Sequence, residues 1–409
     1  MRRAILARDL FKSGLLIAFL FGFCWKSMAA TPTYDLDVQK HTITIHNTGE
    51  VTAEINSALS YLVNRKDANT VWNVKFDGGK YNISKILFSE RLQNVNFISD
   101  PKNPAILAKT PNFPIEYLFY TRFSKNITFS GFTIIGNTAT YIPDNYLTGT
   151  SIGWADQGIY FGSSNGVVIS NNRFYNIGNA AIRVTTTERD PVRGVDSFNT
   201  QISGNYFDNI FQVTTTSNDL VHGGSASLLV QDNIFDHIWG SIKFASRTDG
   251  ATNVVFRRNA INNSTTDGLE IVGYNNIEIS NNTLQNIARN AANCYTNNVS
   301  AYGFDWGNNL SFKNNVIKNT GGGIRISADA YIDGFQPQPK NVTISGNSIT
   351  NLKGTAPALT LLKSSFPGLT VTNNQFSNVP SKIYFYMPTK NTKALLTGNK
   401  LDNKALNFN

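Results

Sequence analysis

The sequence is short of the residues on which cross-linked, metal-holding and strongly charged proteins depend. Its 409 residues include two cysteines, three methionines and four histidines, and only 15% are charged. Two cysteines cannot build a disulfide framework, and the Cys/His spacing of a zinc site is absent. Scarce charge argues against coiled coils, helical bundles and charged disordered tails. No apolar run reaches the roughly 20 residues needed to span a bilayer. What is abundant is amide: 52 residues are asparagine, far above average usage. Hydrophobic residues make up 41% and aromatics 12%, so a core is available and the polarity comes from amides and hydroxyls.

Residues 1–30 run MRRAILARDLFK, then SGLLIAFLFGFCW, then KSMAA. A basic start, a short apolar run and the small residues Ser27, Ala29 and Ala30 read as a secretory signal cleaved after Ala29 or Ala30. The apolar run is too short for an uncleaved membrane anchor, and bulky Phe23 speaks against a lipoprotein anchor at Cys24. The mature protein is expected to be secreted or periplasmic and monomeric, with no membrane anchor. These thirty residues carry five basic groups and one acidic group, so the net charge falls from +9 to +5. That modest, unclustered charge excludes a nucleic-acid surface. Removal of the segment also leaves Cys294 as the one thiol, expected to be a small buried hydrophobe.

One phrase recurs along the chain: NGVVISNNRFYNI from Asn165, NTQISGNYFDNI from Asn199, NVVFRRNAINN from Asn253, NIEISNNTLQNI from Asn276, NLSFKNNVIKN from Asn309, NVTISGNSITN from Asn341 and LTVTNNQFSN from Leu369. Two alternating apolar positions precede an asparagine, and another apolar position follows it. The key asparagines are 172, 205, 233, 259, 282, 315, 347, 374 and 399, separated by steps of 23 to 33 residues. Such a period means a solenoid or array, and alternation within each repeat means strands. Propeller blades need longer repeats, and leucine-rich or other helical repeats need a helical stretch between strands. A single-domain parallel β-helix remains, all-β, with about ten coils stacked ~4.8 Å apart.

Asparagine suits this architecture. It tolerates left-handed backbone angles at a sharp bend, and its amide can bond the equivalent residue one coil away. Most of the 52 are therefore expected to be structural, and sequons such as Asn126-Ile127-Thr128 and Asn341-Val342-Thr343 to be by-products of the repeat. An open coil end also needs covering. Residues 50–66 place Ile55, Leu59, Leu62 and Val63 at helical spacing, a candidate amphipathic cap. The organisation expected is a signal over 1–30, an N-terminal region with the capping helix and first strands over 31–89, and the β-helix over 90–409.

With this repeat, and a helix before the first coil, the chain resembles the pectate lyase and polygalacturonase superfamily of right-handed β-helices. The resemblance covers about 90% of the mature sequence. It implies a binding cleft along one parallel sheet, while leaving the reaction open because many chemistries share the scaffold.

The segments expected on that sheet include GIYF from Gly158, AIRV from Ala181, FQV from Phe211, SIKF from Ser241, GLEI from Gly268, GFDW from Gly303, GIRI from Gly323, ALTL from Ala358 and KIYF from Lys382. Their second and fourth positions should point inward and the residue between them outward. The outward row then reads Tyr160, Arg183, Gln212, Lys243, Glu270, Asp305, Arg325, Thr360, Tyr384. Charges gathered on one line of a charge-poor chain mark a candidate site. The competing reading is a row of surface ion pairs, each contributing little. Gly158, Gly268, Gly303 and Gly323 are expected to clear space for a ligand, and Tyr160 and Tyr384 to stack on sugar rings. Glu270 and Asp305, about one coil apart, should raise each other's pKa unless Lys243 and Arg325 offset the effect.

Two chemistries fit such a row on an acidic polysaccharide. For β-elimination, Lys243 would be the base, Arg183 and Arg325 would hold the substrate carboxylate, and Glu270 with Asp305 would orient the cations or bind Ca²⁺. For hydrolysis, two carboxylates suffice. TTDGLEI at 265–271 looks like the NTDG-type motif of polygalacturonases, and GIRIS at 323–327 is similar to their RIK segment. The chain departs from that family in lacking an Asp-Asp pair on the next coil and a Gly-His-Gly, and in carrying Ser327 where the family has Lys. Asp-Gly is also ordinary turn chemistry, so Asp267 is equally readable as structural. Elimination is placed first because cations outnumber carboxylates in the row. A third reading is a non-catalytic polysaccharide-binding, export or adhesion protein. Of the histidines, His41, His46 and His237 read as structural or surface residues, and His222 as a proton carrier able to reach the groove.

Overall fold

The computed structural model describes residues 34–113, 117–138, 156–185, 197–216, 226–245, 251–295, 307–327, 339–362, 366–380, 384–385 and 394–406. The repeat winds into a parallel β-helix in which each coil contributes strands to three faces. In one coil these are Tyr274–Ser280 on face one, Thr283–Ile287 on face two and Asn290–Tyr295 on face three. The next coil supplies Asn308–Lys313, Val316–Lys318 and Gly322–Ser327. Each strand pairs in parallel with its counterpart. Among the described residues, face one is a 14-stranded sheet, and faces two and three belong to a 22-stranded sheet.

Alternation within each strand decides what enters the coil. Ile277 and Ile279, Leu284 and Ile287, and Ala292 and Cys294 all point inward and are buried. Because the coils are in register, like residues stack on like: Phe174, Phe207 and Phe235 lie face to face with centroids 4.8 and 4.7 Å apart. Each fully buried apolar side chain of this size contributes about 1.5–3 kcal/mol. Cys294 is one of these core residues, and burial pushes its thiol far above the ordinary range, as expected of an inert cysteine.

The key asparagines form one continuous buried ladder. In Asn282, Oδ1 accepts the backbone N–H of Asn259 at 2.8 Å and its Nδ2 at 3.2 Å. Its own Nδ2 donates to Asn315 Oδ1 at 2.9 Å and to the Phe256 carbonyl at 3.0 Å. The same pattern runs from Asn172 to Asn399. The structure shifts one detail of the sequence reading: the left-handed residue at the bend is the one before the ladder asparagine. Asn281 has φ 56°, and Asn171, Asn314, Asn373 and Gly204 occupy the equivalent place. Glycine or a short amide tolerates that angle, which frees the ladder asparagine to turn inward. Other asparagines form shorter surface ladders, such as Asn341 to Asn309 at 2.9 Å and Asn126 to Asn94 at 2.8 Å. The two sequon asparagines are thus repeat residues.

The N-terminal edge is closed on all three faces. Hairpin Tyr34–Asp37 with Thr42–Ile45 covers face one. Asn82 on face two bonds Gly49 and Val51 through the backbone. The helix Thr52–Asn64 covers face three, where Asn56 Oδ1 accepts the Phe88 N–H and Asn56 Nδ2 donates to the Ile86 carbonyl, both at 3.1 Å. Ile55, Ala58, Leu59 and Leu62 are buried against the coil, whereas Val63 is exposed. At the other end, Lys404–Ala405 folds back antiparallel on Lys400–Leu401. Among the described residues, no helix is long and apolar enough to cross a membrane.

Candidate functional site

The expected row exists on face three, with two of its members replaced. Tyr160 pairs in register with Arg183, and Arg183 with Thr214, which pairs with Lys243. Lys243 faces Glu270, Glu270 faces Asn293, and Asn293 faces Arg325. Thr360 and Tyr384 follow. Among the described residues, the inward partners predicted for these strands, such as Ile159 and Phe161, Ile182 and Val184, Ile324 and Ile326, and Leu359 and Leu361, are buried, whereas Phe211 is only half-buried.

Asn293 takes the place assigned to Asp305. The coil that begins at Asn282 builds its face-three strand from Asn290–Tyr295, so the pairing of Glu270 with a second row carboxylate is overturned. Ala292 and Cys294 are small inward residues that give this strand a faint pattern, whereas GFDW has the large apolar residues of a strand. Asp305 lies outside the described residues, as does His222. Spacing was the available signal: Lys243, Glu270 and Arg325 follow their ladder asparagines by 10, 11 and 10 residues, Asn293 by 11 and Asp305 by 23.

Gln212 is displaced for another reason. Register shifts between Ile177 and Ile182 place it opposite Ala180, with Val213 opposite Ile182 and Thr214 opposite Arg183. It lies off the row, and its Nε2 donates to Asn179 Oδ1 at 3.3 Å. Tyr384 is in register on the row, but its side chain lies outside the described residues.

Two expectations about the surroundings also change. The glycines leave no room for a ligand: a Cβ on Gly158 would come 2.2 Å from the Ala181 carbonyl oxygen, and one on Gly323 1.9 Å from that of Ala358. At Gly268 the neighbours are Ile287 Cδ1 and the Ala291 carbonyl oxygen, at 2.6 and 2.7 Å. These positions are glycine because the next coil closes over them; Gly303 lies outside the described residues. Tyr160 is only 7% exposed and lies flat on Tyr120, with centroids 4.4 Å apart and planes at 3°. Tyr117 packs on it as well. With that stack continuing to Phe88, Tyr160 is a nearly buried rung of an aromatic column.

The charged part of the row is a compact network. Lys243 Nζ donates to Glu270 Oε1 at 2.9 Å, Ser241 Oγ donates to Glu270 Oε2 at 3.0 Å, and the Tyr295 hydroxyl donates to Glu270 Oε1. Burial pushes the Glu270 carboxyl up, but the Lys243 charge and the three donors outweigh it and hold it below the ordinary carboxylate range. Glu270 is therefore ionised at neutral pH. One coil further, Arg325 Nη1 donates to Asn293 Oδ1 at 2.8 Å. Arg183 Nη1 donates to the Tyr117 hydroxyl at 3.2 Å, and its Nε is buried without a partner. Neither arginine has a carboxylate partner among the described residues. Lys243 and Glu270 remain partly open, with side-chain exposures of 28% and 21%.

Asp267, in the TTDG turn just before the strand that carries Glu270, is buried. Its Oδ1 accepts the Asn290 N–H at 2.8 Å and Asn290 Nδ2 at 3.0 Å, and its Oδ2 accepts Asn293 Nδ2 at 3.0 Å. Sequence reasoning missed Tyr295 and Asn293, which share a strand, and Ser241, two residues before Lys243. Calcium fits poorly here, since it takes six to eight oxygen ligands and Glu270 is committed to three donors. Among the described residues, no group of three or more His, Cys, Asp or Glu side chains is placed to hold a metal ion.

Residues 219–401 match the family model described as a right handed beta helix region. No curated protein sequence matches the chain significantly. Among solved structures, the surface protein and adhesin PfbA of Streptococcus pneumoniae is 15% identical with a TM-score of 0.61, covering 87% of this chain and 94% of its own. An exopolygalacturonase from Thermotoga maritima is 12% identical with a TM-score of 0.59, covering 87% and 92%. The A-module of the Azotobacter vinelandii mannuronan C-5 epimerase AlgE6 is 11% identical with a TM-score of 0.50, covering 86% and 95%. Such identities speak to fold, and the three names span a hydrolase, an epimerase and an adhesin. The chain has a right-handed parallel β-helix fold, which it shares with these three proteins.

Proposed function

We propose that this protein binds an acidic polysaccharide along face three and cleaves it by β-elimination. The observation that carries this reading is the composition of the charged network: one ionised carboxylate, Glu270, held by Lys243, Tyr295 and Ser241, beside an arginine that no described carboxylate neutralises. Hydrolysis asks for two carboxylates, one of them protonated before the reaction. Here Glu270 is already ionised, Asn293 stands where a second row carboxylate was expected, and Asp267 has both oxygens occupied by amide donors.

Elimination needs a cation on the uronate carboxylate, a base for the adjacent carbon-bound proton and an acid for the departing oxygen. Arg325, tethered by Asn293, is the cation, and Arg183 is a second anchor five coils away along the row. Glu270 takes the proton as the carbon–carbon double bond forms and the glycosidic carbon–oxygen bond breaks. Tyr295 gives its phenolic proton to the leaving oxygen, and Glu270 then returns a proton to Tyr295, restoring both groups. Lys243, whose ammonium is bonded to Glu270, keeps that carboxylate placed, so the base role passes from Lys243 to its partner.

Incubation with a panel of acidic polysaccharides tests the reading, with ultraviolet absorbance and reducing ends followed together. Elimination gives new absorbance matched by new ends. Ends without absorbance mean hydrolysis, and retained binding with neither change means a binding or adhesion protein. Export belongs to the same proposal: the protein recovered outside the cytoplasm should begin at Ala30 or Thr31 by N-terminal sequencing.

A further inference from the structure

Asn293 sits between two groups that can each bond only one end of its amide. A guanidinium only donates, so Arg325 can be held only by Asn293 Oδ1. An ionised carboxylate only accepts, so Asp267 can be satisfied only by Asn293 Nδ2. The observed contacts, 2.8 Å to Arg325 and 3.0 Å to Asp267, have this sense. The direction of the amide is thus set by Asp267. Asp267 is 7% exposed and is itself fixed by two bonds from Asn290. The TTDG turn that places it leads directly into the strand Leu269–Val272 carrying Glu270.

We propose that Asp267 is a positioning residue of the charged face: it locks the Asn293 amide so that Asn293 Oδ1 holds the Arg325 guanidinium ready for a substrate carboxylate. Asp267 touches no reacting atom and acts through Asn293. Without its charge, the amide is free to turn its Nδ2 toward Arg325, donor against donor, and the tether is lost.

The test reads Arg325 directly, without substrate. The purified full-length protein is treated with a dicarbonyl reagent that modifies arginine guanidinium groups, and the labelling rate at Arg325 is mapped by mass spectrometry. Asp267→Asn should raise that rate about tenfold, the scale of one charge-assisted hydrogen bond, while Arg183 labelling stays at the wild-type rate. Asn293→Ala should raise it equally, and the double variant no further, since the two residues act in one chain. If Asp267→Asn does not fold, Asn293→Ala alone decides whether the tether exists, and Asp267→Glu, which keeps the charge, should label more slowly than Asn293→Ala. Unchanged Arg325 labelling in a folded Asp267→Asn or Asn293→Ala protein, or additive effects in the double variant, overturns the proposal. A second readout rests on the lyase reading: Asp267→Asn should lower kcat/KM for the polymer about tenfold. A protein that cleaves nothing but still shows the labelling pattern refutes the lyase and keeps the tether.

Discussion

Two polar ladders climb this β-helix side by side, and they differ in whether they are closed. The asparagine ladder at the bend uses both amide ends on every interior rung: Asn282 accepts from Asn259 and donates to Asn315 and to a main-chain carbonyl. Nothing is left over for a ligand, and the ladder is buried. The face-three row is open. Lys243 and Glu270 satisfy each other, but Arg325 ends on a neutral amide and Arg183 on a phenol. Repetition of one residue type makes scaffold; a break in the repetition, with unmatched charge, is what the proposed binding face rests on.

That contrast can be broken by experiment. Glu270→Gln should lower kcat about 10²–10⁴-fold, the usual contribution of a general base, with the coils intact by circular dichroism. Asn282→Ala should do the opposite, because it leaves several buried groups without partners at about 1–3 kcal/mol each. Chemical denaturation should show a loss of about 3–5 kcal/mol on that basis, while kcat/KM of the folded fraction holds.

A smaller effect separates the ladders by pH. The folded-state pKa of Glu270 is depressed, so its stabilisation is fully present above the unfolded value, about 4.3, and fades as pH falls through the folded value. The stability difference between wild type and Glu270→Gln should stay constant from neutral pH to about 4.3 and shrink below it, while the asparagine ladder has no such dependence. Least of all should change in Tyr160→Phe. Its ring is already covered by Tyr120, so KM for the polymer should match wild type; a large rise in KM would mean the column binds sugar after all.

The closed ladder was far easier to read in the sequence than the open row. The ladder repeats one residue among strong apolar neighbours, so its period shows the coil and the coil shows the fold. On the row, Lys243, Glu270 and Arg325 could be found because Ile242, Phe244, Leu269, Ile271, Ile324 and Ile326 mark their strands. Asn293 was passed over because Ala292 and Cys294 carry little hydrophobic signal and a more apolar segment lay nearby, although its distance from Asn282 matched the row. Gln212 was misplaced by a bulge, which periodicity cannot register. Tyr295 belongs to one strand and acts on the residue of the previous coil, a relation set by stacking and absent from any local pattern. The glycines were legible as special but not as to why: a neighbouring carbonyl, seen only in three dimensions, fills the space they leave.

The most direct test of elimination by the Glu270 network is the mass of the products from a defined acidic oligosaccharide. Elimination adds no water, so the two product masses must total that of the substrate, and Glu270→Gln must abolish both products together. A total heavier by one water would show hydrolysis and contradict the assignment of Glu270 as the base.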